Sequence, residues 1–526
     1  NIDLGTDELS TYDVKTTVKN VTIDLNGYTV TSAGQYTVYL KVNGWTIQNG
    51  TIRNTNASTT YGTLYVGGSS NSTTLKNLTV ESETNGVQFA IASSKNGIKA
   101  SITVEDGTKI SGKYGVYMKG QPKPYRYTRD GQEILNVNGG EITGTTAAIA
   151  VFGAEKGNTK AGVIVNINGG KVYSDSYAIA GNGSPVLENT TINISGGKVF
   201  SNKDTAIYHP QAGTVTISGG EVYGVTGGVQ MCAGTLNVTG GTIGATGNGD
   251  VSGKTGDGSI PDGAAVSIVN RAYPAGAPTM TISGGTFTSA AGVGAVQAYG
   301  WKNNSQQTWD KPNASVSGGT FTSAVPAEYC AEGFIPTANA DGTYGVKEGT
   351  YVAETNGVKY ETLQAAIAAA NNGETVTLLK DVTENVEIAK EKNLTLDLNG
   401  KTLNGGTGTA KAALTNYGTI TIQDNSADKT GTIKRDDNGT VGETSYYVIN
   451  NKGTMTIESG TVINNSGYRK TNPTGSMIGS SLICNGDCDE GGTLTIKGGT
   501  LTQNNFIAIK NGALGVLHVT GGTITS

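Results

Sequence analysis

One eight-residue phrase recurs along this 526-residue chain and constrains its fold more than any other feature. A typical copy reads Val165-Asn-Ile-Asn-Gly-Gly-Lys-Val172, and Leu517-His-Val-Thr-Gly-Gly-Thr-Ile524 repeats the phrase near the C-terminus. The first glycines of five consecutive copies fall at positions 139, 169, 196, 219 and 240, so the step shortens from 30 to 21 residues. A repeat of this period indicates a stack of similar units rather than several unrelated domains.

Each copy predicts short strands that meet at a corner. Apolar and polar residues alternate before Gly-Gly, which indicates a strand with one buried face. A β-hairpin is the simplest interpretation, but the segment after Gly-Gly is short, and a third apolar element follows most copies, as at Tyr177-Ala-Ile-Ala180. Three short strands per repeat predict one turn of a three-sheet coil, with Gly-Gly where no Cβ fits. We therefore predict an all-β chain that forms a right-handed parallel β-helix.

The composition agrees with this fold and excludes several classes of partner. The chain has 79 glycines, only 15% charged residues and a net charge of −5, whereas soluble domains carry roughly 25% charged residues. A net negative charge argues against nucleic acid and against anionic membranes, because both require clustered Lys and Arg. No apolar run reaches the length of a membrane-spanning helix.

Two near-identical openers, Val21-Thr-Ile-Asp-Leu-Asn-Gly27 and Leu394-Thr-Leu-Asp-Leu-Asn-Gly400, predict two tandem coils. We place them at residues 1–347 and 348–526, with eleven and five rungs. A short helix at about 361–371 has Leu363, Ala366, Ile367 and Ala370 on one face and is predicted to cap the first turn of the second coil. We expect the N-terminal cap of the first coil to be truncated and the second coil to be incomplete at its C-terminus.

Three phrases resemble the pectate-lyase-like β-helix surface proteins of gut Firmicutes, which are described as adhesin-like. They are the Ile-Ser-Gly-Gly-Thr-Phe phrase that ends at Phe287, the opener Leu396-Asp-Leu-Asn-Gly-Lys-Thr-Leu403 and Thr362-Leu-Gln-Ala-Ala-Ile367. The segment Tyr329-Cys-Ala-Glu-Gly-Phe334, followed by Asp341-Gly-Thr-Tyr-Gly-Val346, is similar to the closing segment of a coil in those proteins. The resemblance implies the fold and a bacterial surface location, but a shared fold does not carry an activity.

No arrangement of residues predicts catalysis. Glycoside hydrolysis needs two carboxyl groups across a groove, and the pair Asp436-Asp437 lies in a polar insert. Asp24 and Asp397 occupy equivalent positions in the two openers, which favours a structural role in turn hydrogen bonding. Neither histidine, His209 at a rung corner or His518 on an outer strand face, has a nucleophile at suggestive spacing. We predict no catalytic residue.

The sequence predicts no cofactor and no metal, with calcium as an alternative in two inserts. The acidic residues of these inserts are Asp250, Asp257 and Asp262, and Asp487, Asp489 and Glu490. Neither insert matches a known calcium loop. The four cysteines do not form a disulfide framework, and whether Cys484 and Cys488 are bridged stays open.

Corner loops are the parts of a rigid coil that carry recognition. They include residues 119–127, 270–274 and 300–304. Tyr273, Trp301 and Trp309 are predicted to form an exposed aromatic patch that stacks on sugar rings or anchors a protein. The alternative is that these rings fold over the coil and shield its flank.

The leading functional hypothesis is a non-enzymatic extracellular module of the bacterial cell surface, structural or adhesive. It would be a rigid stalk whose corner loops contact host or microbial glycans or surface proteins. The first alternative is a carbohydrate-active β-helix such as a polysaccharide lyase or glycosidase. The second is a structural filament segment with end-to-end contacts between repeats. Uneven rungs argue against ice binding.

Overall fold

The computed structural model divides the chain into two compact units, residues 1–348 and 349–526, against a predicted division after residue 347. The structure describes residues 20–40, 44–67, 71–90, 98–119, 131–152, 154–155, 162–183, 187–247, 249–251, 258–405, 411–435, 447–464, 470–471, 477–478, 481–503 and 507–526. The predicted loop at 120–127 and the pair Asp436-Asp437 lie outside these residues, as do residues 1–19.

Unit 1 consists of parallel strands that pair with the equivalent strand of the next repeat. The first stack contains Val21–Asp24, Trp45–Asn54, Asn71–Ser82, Ile98–Val104, Gly131–Val137, Gly162–Ile167, Thr190–Ile194, Gly213–Ile217, Thr235–Val238, Thr279–Ile282 and Asn313–Val316. Among the described residues these are the eleven predicted rungs. Parallel pairing between repeats excludes the hairpin interpretation.

Two further stacks run beside the first in unit 1, and the third has ten described strands because none follows Thr320–Phe321 in the last rung. The second contains Thr29–Ser32, the later halves of Trp45–Asn54 and Asn71–Ser82, the earlier halves of Lys109–Lys119 and Glu141–Phe152, then Lys171–Ser174, Lys198–Ser201, Glu221–Gly224, Thr242–Ala245, Thr286–Thr288 and Thr320–Phe321. The third contains Val38–Leu40, Gly62–Gly67, Asn85–Ala90, the later halves of Lys109–Lys119 and Glu141–Phe152, then Tyr177–Ala180, Thr205–His209, Gly227–Met231, Val266–Asn270 and Val296–Lys302. Because four strands pass a corner without interruption, hydrogen bonding joins the stacks into one 31-stranded sheet.

The core of unit 1 is built from columns of identical or similar apolar side chains. One column runs Ile47, Leu75, Val104, Val137, Ile167, Ile194, Ile217, Val238, Ile282 and Val316, all at most 1% exposed. The second stack ends in Phe287 and Phe321, whose rings are 4.7 Å apart and tilted by 12°. Each rung therefore buries its apolar face mainly against its two neighbours, so stability accumulates rung by rung.

The Gly-Gly pairs lie at the corner between the first and second stacks. Gly170 has φ +71°, and a Cβ there would lie 2.6 Å from the carbonyl oxygen of Gly139 in the rung before it. A Cβ on Gly169 would overlap the Asn138 carbonyl oxygen. The second glycine is needed for its left-handed backbone and the first for the close approach of two rungs. The corner prediction is confirmed.

Short elements outside the stacks complete unit 1. Antiparallel pairs join Ser305–Gln307 to Val296–Lys302, Ala154–Glu155 to Leu187–Glu188, and Phe334–Ala338 to Tyr344–Glu348. A 3₁₀ turn spans Ala327–Tyr329. The last hairpin, residues 334–348, contains the later part of the predicted closing segment, from Phe334 onward, and pairs with the final second-stack strand at Phe321 and Tyr344.

Unit 2 has the same plan with three separate sheets. The first sheet contains Val358–Tyr360, Ala353–Thr355, Thr375–Leu378, Asn393–Asp397, Thr419–Gln423, Thr454–Ile457, Gly492–Ile496 and Gly515–Val519. The second sheet contains Val382–Thr383, Thr402–Gly405, Thr432–Arg435, Thr461–Asn464, Thr500–Gln503 and Thr523–Thr525. The third sheet contains Val386–Ile388, Leu414–Asn416, Ile449–Asn451, Ile483–Asn485 and Ile509–Asn511. Lys470–Thr471 pairs with Met477–Ile478 separately. The parallel part of the first sheet has six described rungs, one more than predicted, because Thr375–Leu378 precedes the opener.

The helix of unit 2 spans Leu363–Ala369, within the predicted 361–371. The Thr362 hydroxyl caps it by accepting a hydrogen bond from the Ala365 N–H, and the Glu384 carboxylate accepts from the first two N–H groups. Leu363, Ala366 and Ile367 are buried in the unit 2 core, against the first rung. The parallel sheets of both units confirm the prediction of an all-β chain, to which this helix is a short addition.

A ladder of buried asparagines runs along the third sheet of unit 2. The side-chain N–H of Asn416 donates to Asn451, Asn451 to Asn485 and Asn485 to Asn511, each across 2.7 Å. The first three residues are fully buried. Each of these three also donates to backbone carbonyls at the adjacent corner, so their buried amide groups are hydrogen-bonded.

Candidate functional site

The later rungs of unit 1 bury a second set of side chains outside the main core. We call this set the aromatic cluster: Tyr208, Cys232, Ile260, Val269, Tyr299 and Trp301, with Tyr177, Val251 and Tyr273 partly buried around it. Most of these residues lie on or directly after third-stack strands, whereas Ile260 comes from the insertion between Thr242–Ala245 and Val266–Asn270. The insertion therefore folds back over the outer side of the coil.

Arg271 connects several residues at the edge of the aromatic cluster. Its guanidinium donates hydrogen bonds to the Tyr208 hydroxyl (3.1 Å) and the Gly258 carbonyl (2.7 Å) and lies 5.5 Å from the centroid of the Tyr273 ring. The hydroxyls of Tyr208 and Tyr273 are 3.3 Å apart. A cation placed on an aromatic face and bound to buried oxygen atoms is a stabilising arrangement, so Arg271 holds this corner closed.

Asp262 is the buried carboxylate of the insertion. It accepts hydrogen bonds from the Tyr299 hydroxyl (2.7 Å), the Gln230 amide (3.2 Å) and the Ala264 N–H (3.1 Å). Burial raises its pKa, and these hydrogen bonds act in the opposite direction. The predicted calcium insert therefore places Asp262 in a protein hydrogen-bond network, while Asp257 lies outside the described residues.

The expectation of one exposed aromatic patch is wrong. Trp301 is only 7% exposed and belongs to the aromatic cluster. Tyr273 is partly buried at the edge of that cluster, whereas Trp309 packs against the main core. For Trp301 and Tyr273 the structure agrees with the alternative, in which the rings fold over the coil and shield its flank. Alternation along a strand cannot reveal that an insertion covers its outward side chains.

An open crevice lies beside the aromatic cluster and contains Trp309. It has a volume of about 680 Å³ and is lined by Ala298, Tyr299, Gln306, Gln307, Thr308, Trp309, Asp310, Glu328 and Tyr329. The amides, Thr308 and both carboxylates are exposed, and the Trp309 side chain is half-buried. The crevice thus combines three aromatic rings with polar groups able to bind hydroxyls, a common composition for a ligand site.

The backbone fixes the floor of the crevice. The Tyr329 hydroxyl bonds both the N–H and the carbonyl of Ala298, each at 3.2 Å. Tyr299 is held by Asp262 from behind. The hairpin of Val296–Lys302 and Ser305–Gln307 carries the chain directly to Trp309. These contacts hold Tyr299 and Tyr329 in place before a ligand binds.

The acidic residues of the openers act in turns, as predicted. Asp24 accepts a hydrogen bond from the Asn26 N–H, and Asp397 accepts one from the Asn399 N–H, each at 2.9 Å. Hydrogen bonds from Gln48 and from the Asn26 backbone lower the pKa of Asp24. Both carboxylates therefore stabilise loops that begin a coil.

The two histidines lie in opposite environments. His209 pairs with Met231 in the third stack and is fully buried, and this burial lowers its pKa to about 4. His518 is exposed on Gly515–Val519. Neither residue lines the crevice.

The acidic insert of unit 2 brings the ligand atoms of Asp487, Cys488 and Asp489 within 4.8 Å of one another. The ammonium of Lys452 lies 3.2 Å from Asp487 and 2.5 Å from Glu490. Backbone hydrogen bonds from residues 489 and 490 and the contact with Lys452 lower the pKa of Asp487 to about 2. Protein groups therefore already bind the Asp487 carboxylate, and a calcium site here stays a prediction.

All four cysteines lie among the described residues and carry free thiols. Cys484 is buried and Cys488 is exposed, so the two thiols have different solvent access. Burial raises the pKa of Cys232 to about 12, which keeps it protonated within the aromatic cluster.

Comparison with known proteins does not assign a family. No protein-family model matches the sequence, and we find no match among curated proteins. Within the described part of the chain no helix is long and apolar enough to span a bilayer. The functional argument therefore rests on the site itself.

Sequence reasoning missed several residues of this region. Asp310 and Glu328 reach the crevice from positions that the sequence does not single out, and the sequence suggests Asp262 only as an alternative calcium ligand. Tyr329 was noted only as part of the closing segment. Tyr329 lies beside the third stack, where its hydroxyl bonds Ala298. Its place in the crevice could therefore be predicted once the path of the coil is known.

Proposed function

We propose that this chain is a non-enzymatic extracellular module of a bacterial cell surface, which binds a glycan through the crevice around Trp309. The parallel-strand scaffold supplies a rigid support, and the half-buried Trp309 supplies the ring surface on which a sugar packs, beside the buried ring of Tyr329. Asp310 and Glu328 supply acceptors for sugar hydroxyls. A surface protein is the other class of partner that such a crevice accommodates.

The architectural part of the proposal is that each unit is a right-handed β-helix of the adhesin-like surface type. Connections between parallel strands of one sheet are right-handed in about 98% of cases. The repeated openers and the capped first rung of unit 2 support a common plan for both units.

The observation that carries the functional proposal is the half-buried Trp309 in an open, polar-rimmed crevice with a pre-positioned Tyr329. Aromatic anchors held in pockets contribute a large share of binding energy. We expect Trp309→Ala to reduce binding on a glycan array by at least about tenfold, whereas Tyr28→Ala, which removes a 66% exposed ring elsewhere in unit 1, leaves it unchanged.

One outcome of the array experiment would contradict the proposal. Equal signals from wild type and Trp309→Ala, with both proteins folded by circular dichroism, contradict glycan binding in this crevice. If a purified surface protein competes with the array glycan only when Trp309 is present, the crevice also accepts protein partners.

One observation favours a carbohydrate-active enzyme as the second candidate. Asp310 and Glu328 line the same crevice, and glycoside hydrolysis needs two carboxyl groups beside the scissile bond. Release of reducing ends from an array-positive glycan, abolished by Glu328→Gln, would establish this alternative. Binding that survives Glu328→Gln without product release supports the adhesive module.

A further inference from the structure

A second aromatic feature lies on the outer face of the second stack, away from the third-stack crevice. The rings of Tyr173, Phe200 and Tyr223 are stacked, with centroids 4.9 and 5.3 Å apart and planes within 9° of parallel. They belong to Lys171–Ser174, Lys198–Ser201 and Glu221–Gly224, which pair in register. All three rings are only partly buried. We call this feature the ring stack.

A trough adjoins the Tyr173 end of the ring stack. Beyond Tyr173 the same column continues with Thr143 and then Ser111, whose side chains are much shorter than a phenol ring. The outer part of the Tyr173 ring therefore overhangs a trough of about 540 Å³. The trough spans two rungs and is therefore about 10 Å long, because neighbouring strands lie about 4.8 Å apart. At the other end Tyr223 is followed by Gly244, which carries no side chain, and Tyr223 is not among the residues that line the trough.

Charged and amide groups surround the trough. Asp175 accepts hydrogen bonds from Lys203 (2.8 Å) and Asn202 (3.1 Å), and these bonds lower its pKa, so it is ionised at neutral pH. Glu83 and Lys113 line the trough as well. The rim thus offers hydrogen-bond acceptors and donors around one exposed ring face.

We propose that the open face of Tyr173 is a second glycan subsite, on which one sugar ring stacks while its hydroxyls bind the rim of the trough. A sugar ring presents a C–H face to an aromatic ring and hydroxyls at its edge, which matches an aromatic end wall with a polar rim. An apolar ligand would desolvate Asp175 and Glu83 without replacing their hydrogen bonds. A folded protein partner needs about 800 Å² of contact, more than a trough this size supplies.

The subsite does not depend on the crevice around Trp309, and paired variants distinguish the two. Tyr173→Ala removes the platform, and Tyr173→Phe keeps the ring. Thr143→Tyr adds a ring that extends the stack into the trough and blocks it without removing any packing. Tyr223→Ala shortens the same stack at the end away from the trough and is the matched control for stability.

The experiment is a glycan array probed with the wild-type chain and these variants, together with Trp309→Ala. We expect at least one glycan whose signal falls about tenfold or more in both Tyr173→Ala and Thr143→Tyr. That signal should persist in Tyr173→Phe, Tyr223→Ala and Trp309→Ala. Circular dichroism and thermal unfolding identify any variant that fails to fold, and Thr143→Tyr keeps the test valid if Tyr173→Ala is one of them.

Three results would overturn the subsite. The first is a wild-type chain that binds no array glycan. The second is a set of signals unchanged by Thr143→Tyr. The third is an equal loss in Tyr223→Ala, which would make the ring stack a structural element only. Loss confined to Trp309→Ala supports the crevice alone and rejects the trough.

Discussion

The asparagine ladder of unit 2 allows a sharp test of how this fold is stabilised. Asn451 is fully buried in the middle of the ladder. Its side-chain NH₂ group is the donor to the Asn485 amide oxygen (2.7 Å) and to the carbonyls of Thr493 (3.1 Å) and Gly453 (3.2 Å), and its oxygen accepts from Asn416 (2.7 Å). The substitution Asn451→Ala removes all four contacts in a place that water cannot readily reach.

The expected cost follows from these contacts. Each net hydrogen bond contributes about 1 kcal/mol, and a buried group left without a partner costs about 1–3 kcal/mol. Asn416 retains two carbonyl acceptors, whereas the Asn485 oxygen loses the Asn451 donor. We expect the free energy of unfolding of unit 2 to fall by about 3–4 kcal/mol, which lowers its melting temperature by about 10 °C.

The assay uses the distribution of tryptophan. Trp45, Trp301 and Trp309 are the only tryptophans, and all lie in residues 1–348. Tryptophan fluorescence therefore reports the unfolding of unit 1, while circular dichroism reports both units. Asn451→Ala should lower the melting temperature of one transition seen by circular dichroism and leave the melting temperature seen by fluorescence unchanged.

The control is Asn511→Ala at the exposed end of the same ladder. Asn511 accepts from Asn485 and donates to the Gly515 carbonyl, but its side chain is open to water. Its loss should cost less than about 1 kcal/mol. Equal effects of the two substitutions, or a cost below about 1 kcal/mol for Asn451→Ala, would refute the view that burial makes the ladder stabilising.

Three further predictions concern single residues of unit 1 and the exposed thiol of unit 2. Gly169→Ala should destabilise unit 1 by about 1–3 kcal/mol in urea unfolding because its Cβ overlaps a backbone oxygen of the previous rung, whereas Gly294→Ala, with only ordinary contacts, should be nearly neutral. Burial lowers the pKa of His209 from 6.5 to about 4, so the unfolded chain takes up a proton first as the pH falls. Stability should therefore be complete above pH 6.5 and decrease towards pH 4, and His209→Leu should remove that part of the pH dependence of the melting temperature. Iodoacetamide should label Cys488 in the native chain and spare Cys232, as measured by mass spectrometry, and equal labelling would contradict their assigned exposure.

The columns of the core could be predicted from the sequence because they depend on local alternation. Ile167 and Ile194 lie on the same side of equivalent phrases, and parallel pairing places one above the other. The Gly-Gly corner was equally predictable, since Gly170 requires a backbone that few other residues adopt. The ladder also has a local signal, because Asn416 and Asn451 each precede a glycine by two positions.

The candidate site could be predicted only in part because its contacts are not local. Alternation correctly separates the outer side chains from the core, but it does not indicate what covers them. Trp301 is buried by residues such as Ile260, which comes from an insertion in an earlier rung. Trp309 and Tyr329 share a crevice only because the closing segment returns to the same side. Such contacts follow from the path of loops rather than from strand periodicity.

The insertion that carries Ile260 and Asp262 has a consequence for how such a protein changes over time. Leu236 and Met280 remain paired in adjacent rungs although this long segment separates them in the chain. The frame of a rung is thus independent of the length and chemistry of what emerges at its corner. A foreign peptide spliced into this segment outside Ile260 and Asp262, which pack on the coil, would be displayed at a fixed height on the scaffold. New binding specificities would then arise by exchanging such cassettes while the architecture stays the same.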